Sequence, residues 1–376
     1  MLDGIPIARV LGIEIRMSIA WVALLAIVML LGAEQAGQVA PGLGSIARWG
    51  IGAVVAFAFL VSVLAHELAH ALVARRHGLD PGPVVLGFFG GLAPLDIQAP
   101  RPRDEVAIAL SGPALSLAVA VACFAASAPM AATGVAGAIA SGLLIIGGLN
   151  GALAVLSVLP GIPLDGGRVV RAVAWARTGD QDRASVITAS VGRATGWALA
   201  TAGILVALVA RPAEGLTILS LGWFLSSGAK ALQRRLGISA LLRDVPVHSV
   251  MERDLPHLTG SLTLDTFADR FAGPDALTSL PVMDEDAPLG VVGATRLRKI
   301  ARRAWATTRA SDVMSSPPKA PFLGPDDELR AAVETLQRTG LDGLAVVQDG
   351  RLAGMLTRRA AAEAIRDRVK ARVVGA

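Results

Sequence analysis

The sequence predicts an α-helical polytopic membrane protein, of about six transmembrane helices with a small re-entrant β segment, followed by a soluble α/β domain. Three observations carry this reading. Hydrophobic residues make up 53% of the 376 residues and charged residues only 17%, against about 25% charged in an ordinary soluble protein. Six apolar stretches, residues 17–33, 46–74, 105–127, 135–159, 194–210 and 213–229, carry few charges, and a helix needs about 20 apolar residues to cross a bilayer. Beyond residue 236 these stretches give way to short apolar runs between polar ones. The composition excludes a disordered or collagen-like chain. A single cysteine, Cys123, excludes an intrachain disulfide framework and a Cys-rich zinc site. The net charge is +5, and the arginines flank apolar stretches, which speaks for membrane topology and against nucleic acid.

Taken in order, 17–33 is the shortest stretch. Its apolar core runs longer than a signal-peptide h-region and no cleavage site stands out, so it is read as a span. The 82–98 segment, with Val84-Val-Leu86, two glycine breaks and Pro94, reads either as a strand edge able to hold an extended peptide or as a plain re-entrant turn. Gly142, Gly147 and Gly148 suggest close helix packing in 134–151. Lys and Arg set the orientation in the cell membrane. With the N-terminus inside, the inner flanks collect Arg75, Arg76, Arg168, Arg171, Lys230 and Arg234 among others, and the outer flanks carry only Arg48 and Arg211. Six spans then return the C-terminus to the cytoplasm. The membrane domain is assigned to residues 1–236.

Residues 243–305 and 309–370 form an internal repeat. Asp244-Val-Pro-Val-His-Ser-Val-Met251 matches Ala310-Ser-Asp-Val-Met314, and Ser279-Leu-Pro-Val-Met-Asp284 with Leu289-Gly-Val-Val292 matches Leu344-Ala-Val-Val-Gln348 with Leu352-Ala-Gly-Met-Leu356. Each copy alternates strands and helices, which predicts a paired α/β module.

The residues that bear chemistry lie in Val63-Leu-Ala-His66-Glu67-Leu68-Ala69-His70. Two histidines at i and i+4 share one helix face and can hold one metal ion, and Glu67 beside them can act as general base for water. The alternative is a structural polar cluster. It is disfavoured because three ionisable groups inside an apolar run are costly without pairing, water or a metal. Zinc wants a third protein ligand and an open fourth position. Asp165, in Leu156-Ser-Val-Leu-Pro-Gly-Ile-Pro-Leu-Asp165-Gly-Gly-Arg168, is the best candidate. Its alternative is a turn that caps the next helix. His77, His248 and His257 are read as anchoring or structural, and Cys123 as a packed small side chain.

These motifs resemble the site-2 protease family of intramembrane zinc metalloproteases. The resemblance rests on His66-Glu-Leu-Ala-His70 and Leu-Pro-Gly-Ile-Pro-Leu-Asp165-Gly-Gly, with Gly87-Phe-Phe-Gly-Gly91 and Ala109-Leu-Ser-Gly-Pro113 between them, and covers residues 1–230. The 243–370 repeat resembles a pair of CBS domains, as one subgroup of the family carries. The resemblance implies one zinc ion per chain held by His66, His70 and Asp165, Glu67 as the base, and peptide-bond hydrolysis in or near the transmembrane segment of single-span membrane proteins such as anti-sigma factors. The family usually has Asn eight residues before the Asp, to position the substrate carbonyl. Here that residue is Ser157, and Asn150 two turns earlier is the substitute donor. CBS pairs often bind adenosine nucleotides through a Thr/Ser and an Asp three residues later. The second copy keeps Thr357 but has Ala360, and the first has Gly293 and Arg296. Both acids are missing, which favours a module for homodimerisation or substrate gating over nucleotide sensing. Two rivals come from other classes: a channel or transporter with CBS domains, which has no need of His66-Glu67-His70, and a catalytically inactive protease-like scaffold, supported only by Ser157.

Overall fold

The computed structural model describes residues 4–87, 90–91, 99–130, 133–209, 211–253, 258–266, 279–285, 287–293 and 300–374. The chain divides into two compact units, Met1–Arg234 and Arg235–Ala376.

The first unit holds helices α1 (Ala20–Val39), α2 (Ser45–Arg76), α3 (Pro102–Ser127), α4 (Gly134–Val158), α5 (Asp165–Thr178) and α6 (Gln181–Val209), and α7 (Pro212–Leu241) begins in it. Five of these, α1 to α4 and α6, are long and apolar enough to cross a membrane. Many of their large apolar side chains face outward, Phe57, Leu208 and Val54 among them, as they would against lipid. The sixth predicted stretch, 213–229, is helical within α7 but is not among the five. Glu214, Thr217, Ser220, Ser226 and Ser227 dilute its apolar character. Close packing of small residues occurs between α6 and α7. A Cβ on Gly196 would lie 2.6 Å from the Ser226 nitrogen, and on Gly222 it would overlap the backbone of Ala200, so the two backbones touch.

A four-stranded sheet completes this unit. Its strands, in spatial order, are β1 (Ile5–Val10), β2 (Ile13–Met17), β3 (Val84–Gly87) and β4 (Gly90–Gly91). The β1–β2 hairpin turns at Leu11-Gly12, both at positive φ. β2 runs parallel to β3, with Ile15 opposite Val84 and Met17 opposite Leu86, and β4 pairs antiparallel with β3 through Leu86 and Gly91. Ile13, Ile15 and Leu86 are buried. The Trp21 indole N–H donates to the Gly87 carbonyl at 2.8 Å and its ring stacks on Phe59 of α2, which fixes the sheet to the helices. The strands Val84–Gly87 and Gly90–Gly91 agree with the strand reading of that segment. The β1–β2 hairpin has no counterpart among the elements read from the sequence. Phe88, Phe89 and Pro94 lie outside the described residues.

The second unit is built twice over. β6 (Ser279–Asp284) and β7 (Ala287–Gly293) form an antiparallel hairpin flanked by β5 (Leu258–Thr259), which runs parallel to β6. β8 (Gly343–Gln348) and β9 (Arg351–Thr357) form the matching hairpin, and Leu323 bridges Val346 in parallel as Leu258 does Val282. Both hairpins shift register at corresponding places, Val282/Met283 and Val346/Val347. The segments leading into the repeats are exchanged. Glu252, before the first repeat's strands, trades backbone hydrogen bonds of 2.8 Å with Met355 of β9. Ser315, before the second repeat's strands, does the same with Val291 of β7 at 2.8 and 2.9 Å. Thr357, fully buried, donates its hydroxyl to Glu252 Oε1 at 2.8 Å. His248 is exposed and lies 3.3 Å from Asp326; His257 and Arg296 lie outside the described residues.

Candidate metal centre

The centre is assembled from α2, α3 and α5. Along α2 the run of Ala, Leu, Val and Phe favours helix and brings His66, Glu67 and His70 into the buried interior, at 3%, 8% and 7% exposure. The two imidazoles project from successive turns of one face, with their Nε2 atoms 3.2 Å apart. Asp165 stands at the start of α5, and its Oδ2 lies 3.5 Å from Nε2 of His66 and 3.4 Å from Nε2 of His70. Three donor atoms thus form a near-equilateral triangle. A tetrahedral zinc with ligand atoms about 2.0–2.1 Å away separates them by about 3.3 Å, so this donor set fits that ion in chemistry and in spacing.

The other nitrogen of each ring is also engaged. Nδ1 of His70 lies 2.7 Å from the Ile108 carbonyl, which can only accept. The proton therefore sits on Nδ1, and Nε2 offers its lone pair to the centre. Nδ1 of His66 meets the Ser116 hydroxyl at 2.8 Å. Both partners come from α3, which must approach α2 closely to supply them. Gly112 permits that approach, because a Cβ there would overlap the Nε2 atoms of both histidines. Gly166 and Gly167 serve Asp165 likewise. A Cβ on either would run into the backbone of Val158 to Gly161, the turn that carries the chain from α4 to α5.

A second layer of charge surrounds the donors. Glu105, in the first turn of α3, is buried and accepts two hydrogen bonds from the Arg171 guanidinium of α5, the one from Nε at 2.8 Å. Its neighbour Asp104 is held by Arg101 at 2.9 Å and His77 at 3.3 Å, so His77 anchors the end of α2 to α3. Arg168, one turn beyond Asp165, lines a narrow cavity of about 20 Å³ together with Glu67, His70, Ile108 and Val84. By sequence Arg168 and Arg171 are flanking charges; by their folded positions they belong to the site. The substitute donor Asn150 is fully buried on α4, and its amide donates to Ser62 Oγ at 3.0 Å and to the Ile146 carbonyl at 2.9 Å. Ser157 is buried in the last turn of α4.

Imidazole, carboxylate and a neighbouring glutamate, sunk in an apolar bundle, define the class of membrane-embedded metallopeptidases. Comparison with known proteins specifies it further. Residues 54–143 match Peptidase family M50, and residues 247–303 and 310–367 each match the CBS domain. The chain is 30% identical over 359 residues to Rip3 of Mycobacterium tuberculosis, a zinc metalloprotease by name, across 95% of this chain and 91% of that protein. It is 28% identical over 361 residues to sll0528 of Synechocystis, similarly named, across 95% and 94% of the two. Among solved structures, the site-2 protease from Methanocaldococcus jannaschii aligns with a TM-score of 0.40 and 22% identity, over 60% of this chain and 93% of that one. The chain belongs to the M50, or site-2 protease, family of zinc metalloproteases and carries a CBS pair.

The close approach of α3 gives a test that leaves every donor in place. Gly112→Ala is expected to lower zinc affinity at least about tenfold, in the range seen when outer-shell support is lost, and His70→Ala to lose most of the zinc. Elemental analysis after dialysis against a graded chelator reads both. Wild-type retention in His70→Ala would remove the site.

Proposed function

We propose that this protein binds one zinc ion per chain through His66, His70 and Asp165 and uses it to hydrolyse peptide bonds in or near the transmembrane segment of single-span membrane proteins, of which anti-sigma factors are the family's example. The observation that supports this most directly is the convergence of three donor atoms at 3.2–3.5 Å beside the buried Glu67. Zinc, when bound, acidifies a water molecule and polarises a carbonyl. Glu67 takes a proton from the attacking water, the water oxygen joins the carbonyl carbon, the C–N bond breaks, and Glu67 passes the proton to the leaving nitrogen. A helical substrate has its carbonyls tied up in i to i+4 bonds and must unwind first. β4 pairs with β3 on one side, and its Gly90–Gly91 edge is the place to hold an extended strand. The N-terminus and the CBS pair are assigned to the cytoplasm from the Lys and Arg bias. The CBS pair acts as a dimerisation or gating module, since Thr357 already donates its hydroxyl to Glu252.

The deciding experiment co-expresses candidate single-span proteins with wild type and with Glu67→Gln. Glutamine keeps the shape but cannot take the proton, so cleavage should fall at least about a hundredfold with zinc content unchanged. Activity within tenfold of wild type would take the base role from Glu67. A reporter fused after Ala376 should be active only if it stays inside the cell; activity outside would mean an odd number of spans.

A further inference from the structure

The scissile carbonyl needs a hydrogen-bond donor as it becomes an oxyanion, and neither Asn150 nor Ser157 is well equipped to be one. Both N–H groups of Asn150 are committed, to Ser62 and to Ile146. Ser157 has one short, rotatable hydroxyl where an amide would reach further. Arg168 offers what they lack. It lies one turn after Asp165 on α5, half-buried, and borders the same narrow cavity as the base Glu67 and the ligand His70. Arg171, one turn further on, is spoken for by Glu105. Arg168, among the described residues, has no carboxylate within ion-pair distance, although Glu105, Asp165 and Glu67 all act on it electrostatically. A half-buried guanidinium with several undirected N–H donors, bordering the same cavity as the base and a donor of the centre, is suited to a developing negative charge.

Resting on the hydrolase reading above, we infer that Arg168 is a catalytic residue that hydrogen-bonds the scissile carbonyl oxygen as it becomes an oxyanion, and then the carboxylate that hydrolysis leaves. The nearby carboxylates Glu105 and Asp165 favour the charged guanidinium. The cavity's other walls are largely apolar, Ala71, Ala74, Val84 and Ile108 among them.

The test uses the full-length protein and the substrate found by the Glu67→Gln comparison. Arg168→Ala should lower kcat by about a hundredfold or more, with KM within threefold and zinc content unchanged. Guanidinium ion at millimolar concentration should restore part of the activity of Arg168→Ala and none to Glu67→Gln. A phosphinic-peptide analogue of the cleaved bond, whose anionic tetrahedral group mimics the oxyanion, should bind Arg168→Ala at least about tenfold more weakly, while the uncleaved peptide binds Glu67→Gln and the Arg168→Ala/Glu67→Gln double variant alike. Arg168→Gln, closer in shape, replaces Arg168→Ala in these measurements if the alanine variant fails to fold. Turnover within threefold of wild type in either variant overturns the assignment. So does a loss without guanidinium rescue and without weakened phosphinate binding, which marks a structural charge, or a fall in kcat that appears in Ser157→Ala instead. If no substrate distinguishes wild type from Glu67→Gln, the hydrolase reading falls and this role falls with it.

Discussion

Ionisable groups inside an apolar helix must be satisfied, and α3 is where that demand is met. A charged side chain at bilayer depth costs about 2.5–3.5 kcal/mol even on the lenient scales, so His66, Glu67 and His70 can sit where they do only if partners come to them. For the two imidazoles those partners are the Ile108 carbonyl and the Ser116 hydroxyl, both on α3. They reach the rings because Gly112 has no side chain to hold the helices apart. Glu105 at the start of α3 then ties it to α5 through Arg171, and α5 brings Asp165. The order of dependence runs from the buried imidazoles outward to the helix contacts.

Much of the site is legible in the sequence because the relevant spacing is local. Two histidines four apart share a helix face whatever surrounds them, and the Asp165-Gly-Gly run marks a turn that needs no side chains. What stays hidden depends on approach between distant segments. Nothing in Arg168 or Arg171 distinguishes a residue at the site from a charge at the membrane boundary until Glu105 is seen opposite Arg171. The β1–β2 hairpin has the period of a strand, with Ile13 and Ile15 inward and Glu14 and Arg16 less buried, but it is short and runs straight into an apolar span, which masks the alternation. The α7 stretch is helical as expected, and its serines and a glutamate make it less apolar than the five other long helices.

The sheet and the bundle divide the work around the centre. Val84 of β3 contributes to the cavity that Glu67 and Arg168 also border, and the strand is pinned by Trp21 and by its parallel neighbour β2. Fixed donors on helices thus lie beside a strand, and the two kinds of structure border one cavity.

The exchanged segments of the second unit have a mechanical consequence. Because Glu252 bonds to the far repeat's hairpin and Ser315 to the near one, each half lends a segment to the other's sheet. The two halves are interlocked like clasped hands. A pull on one is transmitted through backbone hydrogen bonds to the other, and a break in the connecting segment would not by itself let them part.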